Sequence, residues 1–293
     1  MKTIRKIGVI VCVVLIAQSC KIADLRTKEV KQVGATIQNS EKGKQLLDRA
    51  WKAQGFDKFK THKVYSYHGQ DTWKGILGRI GNIWTESTSD IDFKYKIGTF
   101  DGQVKFENSD YAGLQNWNYY DIINNDTIFS DPTLKKNERI VFGVSAFQYF
   151  AEMIDRLRQA PIIVYQGEDE FRGQQYDLVL CTWETEVPHL EHDQYVAWIN
   201  KKTGMMELVQ YTIRDSYLRP PGYKSIGGAI EYANFKNIDG ILIPHTQLVY
   251  ALKLNKNPKG FLHKLIISDF KFDDFNSKDL QIDKSIKSGG DFK

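Results

Sequence analysis

The sequence predicts an α+β protein that is mostly antiparallel β. We expect one curved sheet of about eleven strands, in the form of an unclosed barrel, with two helices on its concave side. Aromatic and β-branched segments with period-two alternation recur along the chain, turn dipeptides separate them, and two longer segments show helical spacing. Strands joined by short turns become antiparallel neighbours, and a twisted sheet of about eleven strands curls instead of staying flat.

Two segments have apolar residues at helical spacing. The first lies within residues 41–60, where Gly55 is placed to end the helix. The second is the segment SAFQYFAEMIDRLRQAP, which we expect to begin at a capping Ser145 and to stop before Pro161. These two segments are the predicted helices.

The strand predictions rest on alternation and on turn chemistry. The segment DFKYKIGTF alternates aromatic or aliphatic residues with charged ones, as a strand with one wet face does. Lys202-Thr203-Gly204 and Asp239-Gly240 each separate two strands, and Asp-Gly is a strong hairpin signal. The segment GEDEF is expected to be a solvated turn. Further strands are predicted in HKVYSYHGQDTW, GNIWTEST, GLQNWNYY, QYDLVLCTW, DQYVAWIN, MELVQYTIRDSY, AIEYANF, ILIPHTQLVYALKL and HKLIISDFKF.

The N-terminus has the features of an export signal. Three cations precede an apolar run from Ile7 to Ala17, which is shorter than the roughly 20 residues needed to span a bilayer. The following Ala17-Gln18-Ser19-Cys20 resembles the lipobox of bacterial lipoproteins. That resemblance implies that residues 1–19 are removed and that Cys20 becomes the lipid-bearing N-terminus. An ordinary secretory signal with an unrelated cysteine is the alternative.

The rest of the chain is interpreted as one domain with a leader and a tail. Residues 20–40 contain no aromatic residue and are expected to form the lipidated N-terminus and a flexible tether, and residues 41–283 the β domain. Residues 284–293 are polar and glycine-rich and are expected to fray. An alternative for the tether is a short amphipathic helix, whose apolar residues would be Ile22, Leu25, Val30 and Val33.

Cysteine content and charge exclude two classes of protein. Cys12 lies in the signal and Cys20 is expected to carry lipid, so Cys181 remains alone and no disulfide is predicted. The alternation around Cys181 makes it a buried, inert thiol. The 40 basic and 36 acidic side chains are nearly balanced once the three cations of the signal are removed, which argues against a nucleic-acid partner.

Several motifs resemble the lipoprotein-localisation-factor (LolA/LolB-like) superfamily. They are the Ala50-x-x-Ala53-x-Gly55 helix, the strand and turn WINKKTG, and the hairpin Asp239-Gly240-x-x-Ile243-Pro244. The resemblance implies an unclosed barrel whose hollow is lined by apolar side chains and covered by helices, and several members carry acyl chains there. The segment VPHLEHDQYVAWIN also resembles uncharacterised lipoproteins of Gram-negative bacteria. Soluble carriers lack an acylated cysteine, so Cys20 favours a membrane-bound acceptor or a local binder.

We therefore expect an apolar ligand, a lipid or an acyl chain, and no cofactor. Aromatic residues make up 13% of the chain, and ligand pockets are mostly apolar with a few polar groups. Such residues equally form an ordinary core. The candidate lining residues are Trp84, Phe93, Tyr95, Trp117, Trp198 and Tyr211.

Catalysis is not predicted. His189, Glu191, His192 and Asp193 could hold a metal or form an acid–base pair, which leaves a metal-dependent enzyme as one alternative. Their spacing differs from the i, i+4 pair of the zinc helix, and a polar loop at the rim of the sheet explains them better. A non-enzymatic subunit of an outer-membrane assembly, with an envelope protein as partner, is the other alternative.

The predicted location is the periplasmic face of the outer membrane. In some Gram-negative bacteria an aspartate after the lipid-bearing cysteine favours retention in the inner membrane, and Lys21 stands at that position here. Export signals for the cell surface are acidic in some lineages, and Asp24 is the one acid near the cysteine.

Overall fold

The computed structural model describes residues 22–84, 86–107, 110–251, 258 and 260–287. The predicted signal peptide, the lipid-bearing Cys20 and the last six residues of the predicted tail lie outside these ranges.

A single antiparallel sheet of thirteen strands dominates the structure. The order across the sheet is β6-β5-β4-β3-β2-β1-β13-β12-β11-β10-β9-β8-β7. Each strand therefore pairs with its neighbours in the chain, except that β6 and β7 do not pair with each other and β1 pairs with β13. The strands are β1 (Val64–Trp73), β2 (Thr88–Lys96), β3 (Gly102–Phe106), β4 (Tyr111–Gln115), β5 (Asn118–Ile123), β6 (Asp126–Ser130), β7 (Ile162–Phe171), β8 (Gln174–Thr182), β9 (Tyr195–Asn200), β10 (Met206–Thr212), β11 (Gly227–Ile238), β12 (Ile241–Ala251) and β13 (His263–Phe272).

Three of the five helices in the described residues, α2, α4 and α5, pack in the hollow of the curled sheet. The described residues form the helices α1 (Lys28–Val33), α2 (Ile37–Ala53), α3 (Gly75–Gly81), α4 (Lys135–Ala151) and α5 (Met153–Arg158). Helices α4 and α5 connect β6 to β7, the two edge strands, which leave the barrel unclosed. The predicted class, mostly antiparallel β with a curved and unclosed sheet, is confirmed. None of the helices within the described ranges could cross a membrane.

The strand predictions were wrong at several places. Strands β3, β6 and β7 were not expected, and GEDEF lies in β7 instead of a solvated turn. The segment GNIWTEST is largely irregular, because Asn82 hydrogen bonds fold it into a turn before β2 begins. The segment GLQNWNYY contains two strands, because Asn116 and Trp117 have φ angles of 46° and 63° and form the tight turn between β4 and β5.

The predicted start of the second helix was wrong. Helix α4 begins at Lys135, ten residues before the proposed cap, and Ser145 lies in its interior. The Ser145 hydroxyl donates to the carbonyl oxygen of Val141 at 2.9 Å, the bond to residue i−4 that serine makes inside helices. A serine before an apolar stripe was therefore a misleading start signal.

The described part of the expected flexible tether is packed against the outer face of the sheet. The Ala23 amide donates to the carbonyl oxygen of Lys224 at 2.9 Å, and the Leu25 amide donates to Gln194 Oε1 at 2.9 Å. In α1, Val30 is only 1% exposed, because it fills a small apolar cluster on that face. Of the four residues named for the alternative amphipathic helix, Val30 and Val33 lie in α1, where Val33 is exposed, and Ile22 and Leu25 precede the helix.

Two apolar clusters lie on opposite faces of the sheet. The large one fills the hollow between the sheet and helices α2, α4 and α5. The small one lies outside β7–β10, under the N-terminal segment, and contains Val30, Leu178 and Trp198. Along β8 and β9 successive side chains alternate between the two clusters, as the period of a strand requires.

Candidate ligand-binding site

An apolar cavity of about 260 Å³ lies inside the curled sheet, beside helices α3 and α4. We call it the apolar cavity. It is slightly smaller than the roughly 300–1,000 Å³ typical of ligand pockets. Its lining is Trp73, Leu77, Ile80, Gly81, Ile83, Phe142, Ala146, Phe147, Phe150, Tyr211, Ile213, Ser216, Tyr217, Leu218, Pro220, Tyr223, Ile226, Gly227, Gly228, Val249, Tyr250, Ala251, Leu262 and His263.

One end of the sheet supplies most of this lining. Strands β1, β10 and β12 end there, and β11 and β13 begin there, because adjacent strands are antiparallel. The connections at this end, α3 after β1 and residues 213–226 after β10, lie over the strand ends and complete the cavity wall.

A buried carboxylate positions two aromatic side chains in the wall of the cavity. Asp71 is fully buried, and its Oδ2 accepts hydrogen bonds from the indole N–H groups of Trp73, at 2.8 Å, and Trp84, at 2.9 Å. Its Oδ1 lies 3.0 Å from His263 Nδ1. The His263 ring stacks on Trp73 with the centroids 4.2 Å apart. Trp73 and His263 line the cavity, so this network fixes the orientation of two lining rings.

Helix α4 and the loop of residues 213–226 form the opposite wall of the apolar cavity. Phe142 and Phe150 lie on α4 and line the cavity, and Phe150 lies 6.1 Å from the ring of Tyr211. The Tyr217 hydroxyl donates to the carbonyl oxygen of Gly81 and joins residues 213–226 to the end of α3. Phe142 packs against Tyr217 with the ring centroids 5.2 Å apart. The cavity is therefore bounded on this side by a helix and a loop that contact each other.

A second cavity, of about 280 Å³, adjoins the first. The two share Phe142, Ala146, Phe150, Tyr211 and Ile213, so these side chains form the partition between them. The rest of its lining is Phe100, Trp117, Ser145, Tyr149, Asp193, Tyr195, Thr212 and Asp215. Together the two cavities show that the hollow is not packed solid.

Asp193 is a half-buried residue whose carboxyl group lies at this second cavity. Burial raises the pKa of Asp193 to about 6, although hydrogen bonds from Thr212 and Arg214 and the positive charge of Arg214 act in the opposite direction. The Thr212 hydroxyl donates to Asp193 Oδ1 at 2.8 Å. The second cavity is therefore more polar in character than the first.

A third cavity, of about 700 Å³, lies outside the barrel under the N-terminal segment. It is larger, but charged side chains line much of it: Asp24, Arg26, Lys28, Lys31, Asp169 and Glu170. An acyl chain needs a dry apolar wall, because each methylene that leaves water contributes about 0.8 kcal/mol. The apolar cavity is therefore the better candidate for an apolar ligand.

The six expected lining residues lie in three different environments. Tyr211 lines the apolar cavity and the second cavity, and Trp117 lines the second. Trp198 belongs to the outer cluster and lines the third cavity, so its placement in the hollow was wrong. The alternation of β9 puts it on that face. Trp84, Phe93 and Tyr95 are core residues away from the apolar cavity.

The core positions of these three residues follow from their packing. Phe93 stacks on Tyr67 with the centroids 4.7 Å apart, and its ring lies 5.3 Å from that of Phe147 on α4. Tyr95 is completely buried, and burial raises the pKa of its hydroxyl well above the ordinary value. These rings join the sheet to its helix.

The histidine cluster lies in the loop between β8 and β9. Its spatial members are Glu184, His189 and His192, whose ligand atoms lie within 4.8 Å of one another. His192 Nε2 is 3.2 Å from Glu184 Oε1. The amide of Glu191 donates to His189 Nδ1 at 3.1 Å, so the neutral His189 ring carries its proton on Nε2. Asp193 points into the second cavity instead, and the proposed His192–Asp193 pair does not form.

Cys181 is buried and has a free thiol. Burial raises the pKa of this thiol above its ordinary value, and a reactive thiol requires the opposite shift.

Comparisons with known proteins find similarity of fold. No known family profile matches the sequence, and no curated protein matches it. A DUF1329 family protein from Desulfovibrio piger is 12% identical, with a TM-score of 0.48 over 85% of this chain and 99% of that chain. A domain from Vibrio parahaemolyticus named for outer-membrane lipoprotein sorting is 14% identical, with a TM-score of 0.49 over 83% and 97%. A LolA superfamily protein from Nitrosomonas europaea is 11% identical, with a TM-score of 0.46 over 80% and 96%.

Proposed function

We propose that this chain is an envelope lipoprotein that binds an acyl chain of a lipid in the apolar cavity. The observation that carries the proposal is the cavity itself, an unfilled space of about 260 Å³ with an aromatic and aliphatic wall. The proposed function is binding, without catalysis and without a cofactor.

The energetics favour a lipid that has already left a bilayer. A methylene moved from water into the cavity contributes about 0.8 kcal/mol, whereas a methylene moved from hydrocarbon contributes little. The second cavity would allow a longer chain than the first can hold alone, because Phe142 and Tyr211 line both cavities and their side chains can change rotamer. We propose that their rotation admits the end of the chain.

Filling the cavity should remove the ligand. Ala146 lies on α4 and lines both cavities, so the phenyl group of Ala146→Phe would occupy the shared space. We expect the amount of co-purified lipid to fall at least about tenfold, since the chain and the new ring compete for one volume. Native mass spectrometry followed by solvent extraction measures the retained lipid.

Trp198→Phe is the control, because Trp198 lies outside the barrel. This variant should keep its lipid, and near-ultraviolet circular dichroism verifies that both variants are folded. A wild-type protein that carries no lipid and takes none from mixed micelles would refute the proposal. Equal retention by Ala146→Phe would place the ligand elsewhere.

We further propose that the protein is anchored through lipid on Cys20, at the periplasmic face of the outer membrane. The proposal rests on the residues around Cys20 in the sequence and on Lys21 after it. Two or more acyl chains give stable attachment, whereas one chain is marginal.

Substitution of the cysteine should release the protein. We expect Cys20→Ser to move most of the protein from the membrane fraction and to abolish the mass increase of acylation, because serine offers no thiol for the lipid. Fractionation and intact-protein mass spectrometry measure both. The anchor is disproved if the variant sediments with membranes like wild type and the two masses differ only by the substitution.

One observation favours the assembly-subunit alternative. Edge strand β6 is exposed along most of its length, and Ile128 and Phe129 on it are 51% and 39% exposed. Exposed strand edges are templates for pairing with another chain. Co-purification of an envelope protein at fixed detergent, lost in Ile128→Lys, would support this alternative.

A further inference from the structure

Helix α3 is amphipathic, but its large apolar side chains face outward and not toward the core. Its buried residue is Gly78, at which a Cβ would lie only 3.1 Å from the carbonyl oxygen of Leu262. Its large apolar residues are exposed: Ile76 by 77%, Leu77 by 56% and Ile80 by 57%. A surface helix normally buries such residues. The helix therefore packs through glycine and presents its side chains outward.

The exposed residues adjoin the apolar cavity. Leu77 and Ile80 line it while they also reach solvent, so α3 forms part of its rim. Ile76 and Phe261 border a neighbouring surface depression. We call Ile76, Leu77, Ile80 and Phe261 the α3 patch.

Cations surround the patch. Lys74 and Arg79 are exposed on and beside α3, and the amino groups of Lys74 and Lys264 lie 4.9 Å and 5.8 Å from the ring of Phe261. Residues 74–81 contain no acid. An apolar centre with a cationic border matches an anionic lipid surface.

The N-terminal segment reaches the same end of the sheet. Ala23 is hydrogen-bonded to Lys224, next to Tyr223 and Ile226 of the cavity lining. Arg214 Nη2 donates to the carbonyl oxygen of Ala23 at 2.6 Å and adds a second bond. Ala23 is the third residue after Cys20, so their Cα atoms are at most about 11 Å apart. A lipid on Cys20 would therefore hold this end of the barrel close to the bilayer.

From these observations we infer that the α3 patch inserts into an anionic bilayer and forms the entrance through which an acyl chain passes into the apolar cavity. The inference rests on the proposed function, because it assigns the membrane-facing end of the same cavity. Ile76 and Phe261 would lie among the headgroups and upper acyl chains, and Lys74 and Arg79 beside the phosphates.

The test places a fluorophore on the patch. Ile76→Cys in the lipidated protein can be labelled with NBD, because Cys181 is buried and Cys20 is expected to be acylated. Ile128→Cys on β6 is the matched control, since its side chain is also exposed but lies far along the sheet order. We expect nitroxide lipids in vesicles containing phosphatidylglycerol to quench the probe at position 76 and not at position 128.

Charge reversal tests the cationic border. Lys74→Glu/Arg79→Glu should weaken quenching at position 76 in anionic vesicles, by about fivefold per cation in the equilibrium constant for insertion of the patch, with little change in phosphatidylcholine vesicles. Equal quenching at positions 76 and 128 would overturn the inference. A probe at position 76 that is shielded from water but not quenched by nitroxide lipids would indicate a protein partner and would also overturn it.

The same samples distinguish the proposed lipid binding from the proposed membrane entrance. Lipid retained in the cavity of a protein whose position 76 stays in water refutes the entrance alone. Quenching at position 76 in a protein that carries no lipid refutes the binding function and the role of the α3 patch as an entrance, and it leaves the insertion of the patch into the bilayer standing.

Discussion

We expect Asp71→Leu to lower the free energy of unfolding by about 3–5 kcal/mol, because it strands several buried hydrogen-bonding groups at once. The substitution keeps the branched shape of the side chain but removes the acceptor of the indole N–H groups of Trp73 and Trp84 and the neighbour of His263. Urea denaturation at constant pH measures the change. Retained lipid should fall too, since Trp73 and His263 line the apolar cavity.

Two further variants serve as controls for this prediction. Asp71→Asn keeps one carbonyl oxygen for both indoles and should cost clearly less than the leucine variant. Asp92→Leu on β2 removes a carboxylate that lies 2.9 Å from His68 Nδ1 and is 57% exposed, and it should cost about 0–1 kcal/mol. A leucine at position 71 that costs no more than one at position 92 would show that the network does not support the wall.

Arg156→Ala should lower the free energy of unfolding by a similar amount, about 3–5 kcal/mol. Arg156 and Glu152 are each 4% exposed in their side chains, and Arg156 Nη2 lies 2.7 Å from Glu152 Oε2. The same nitrogen donates to the carbonyl oxygen of Thr99 at 3.0 Å, and the guanidinium lies 4.1 Å from the ring centre of Phe100. Truncation leaves a buried carboxylate without its charge partner, and thermal or urea unfolding reports the loss.

The same helix offers a matched control. Arg158 forms an ion pair with Asp48 in which the side chains are 37% and 49% exposed, so Arg158→Ala should cost about 0–1 kcal/mol. The double variant Glu152→Gln/Arg156→Met should recover much of the loss, because the glutamine carbonyl can still accept from Gln148. Equal costs for the two arginines would contradict the importance of the buried pair.

The architecture could be predicted from the sequence because most of its determinants are local. The Asp239-Gly240 hairpin is confirmed: both residues have positive φ, 53° and 84°, and they join β11 to β12. Gly55 likewise has φ 74° just after α2. Strand β6 was missed because its exposed faces, with Asp126 and Ser130 at its ends, lack the alternation that burial imposes.

The sequence could predict that an apolar cavity exists, but not which residues line it. The alternation of a strand predicts that Phe93 and Trp198 are buried, as they are. It does not predict whether a helix, another chain segment or an empty space lies opposite them. Phe93 meets Phe147, and Trp198 meets the N-terminal segment. Both contacts depend on residues far away in the chain, so no local pattern contains them.

The buried position of Asp71 could have been predicted from the sequence. In β1, Tyr65, Tyr67, Asp71 and Trp73 alternate with polar residues on the other face, so the pattern places a carboxylate on the buried side. Buried carboxylates need partners, and the neighbouring aromatic donors Trp73 and Trp84 were available in the sequence. Helix α3, with its glycine-rich GILGRIG sequence, lacked the periodicity that a search for buried faces detects.

The pairing of β1 with β13 has a consequence for the time course of folding. All other strand pairs join neighbours in the chain, whereas Tyr65 pairs with Phe272 across nearly the whole domain. A chain that is synthesised N-terminus first can pair β1 with β2 at once, but the other edge of β1 stays open until the last strand arrives. Joining the two meanders at this seam is the slow, entropically unfavourable step, since the loop to be closed is long. During that interval the open edge of β1 is the one most exposed to aggregation.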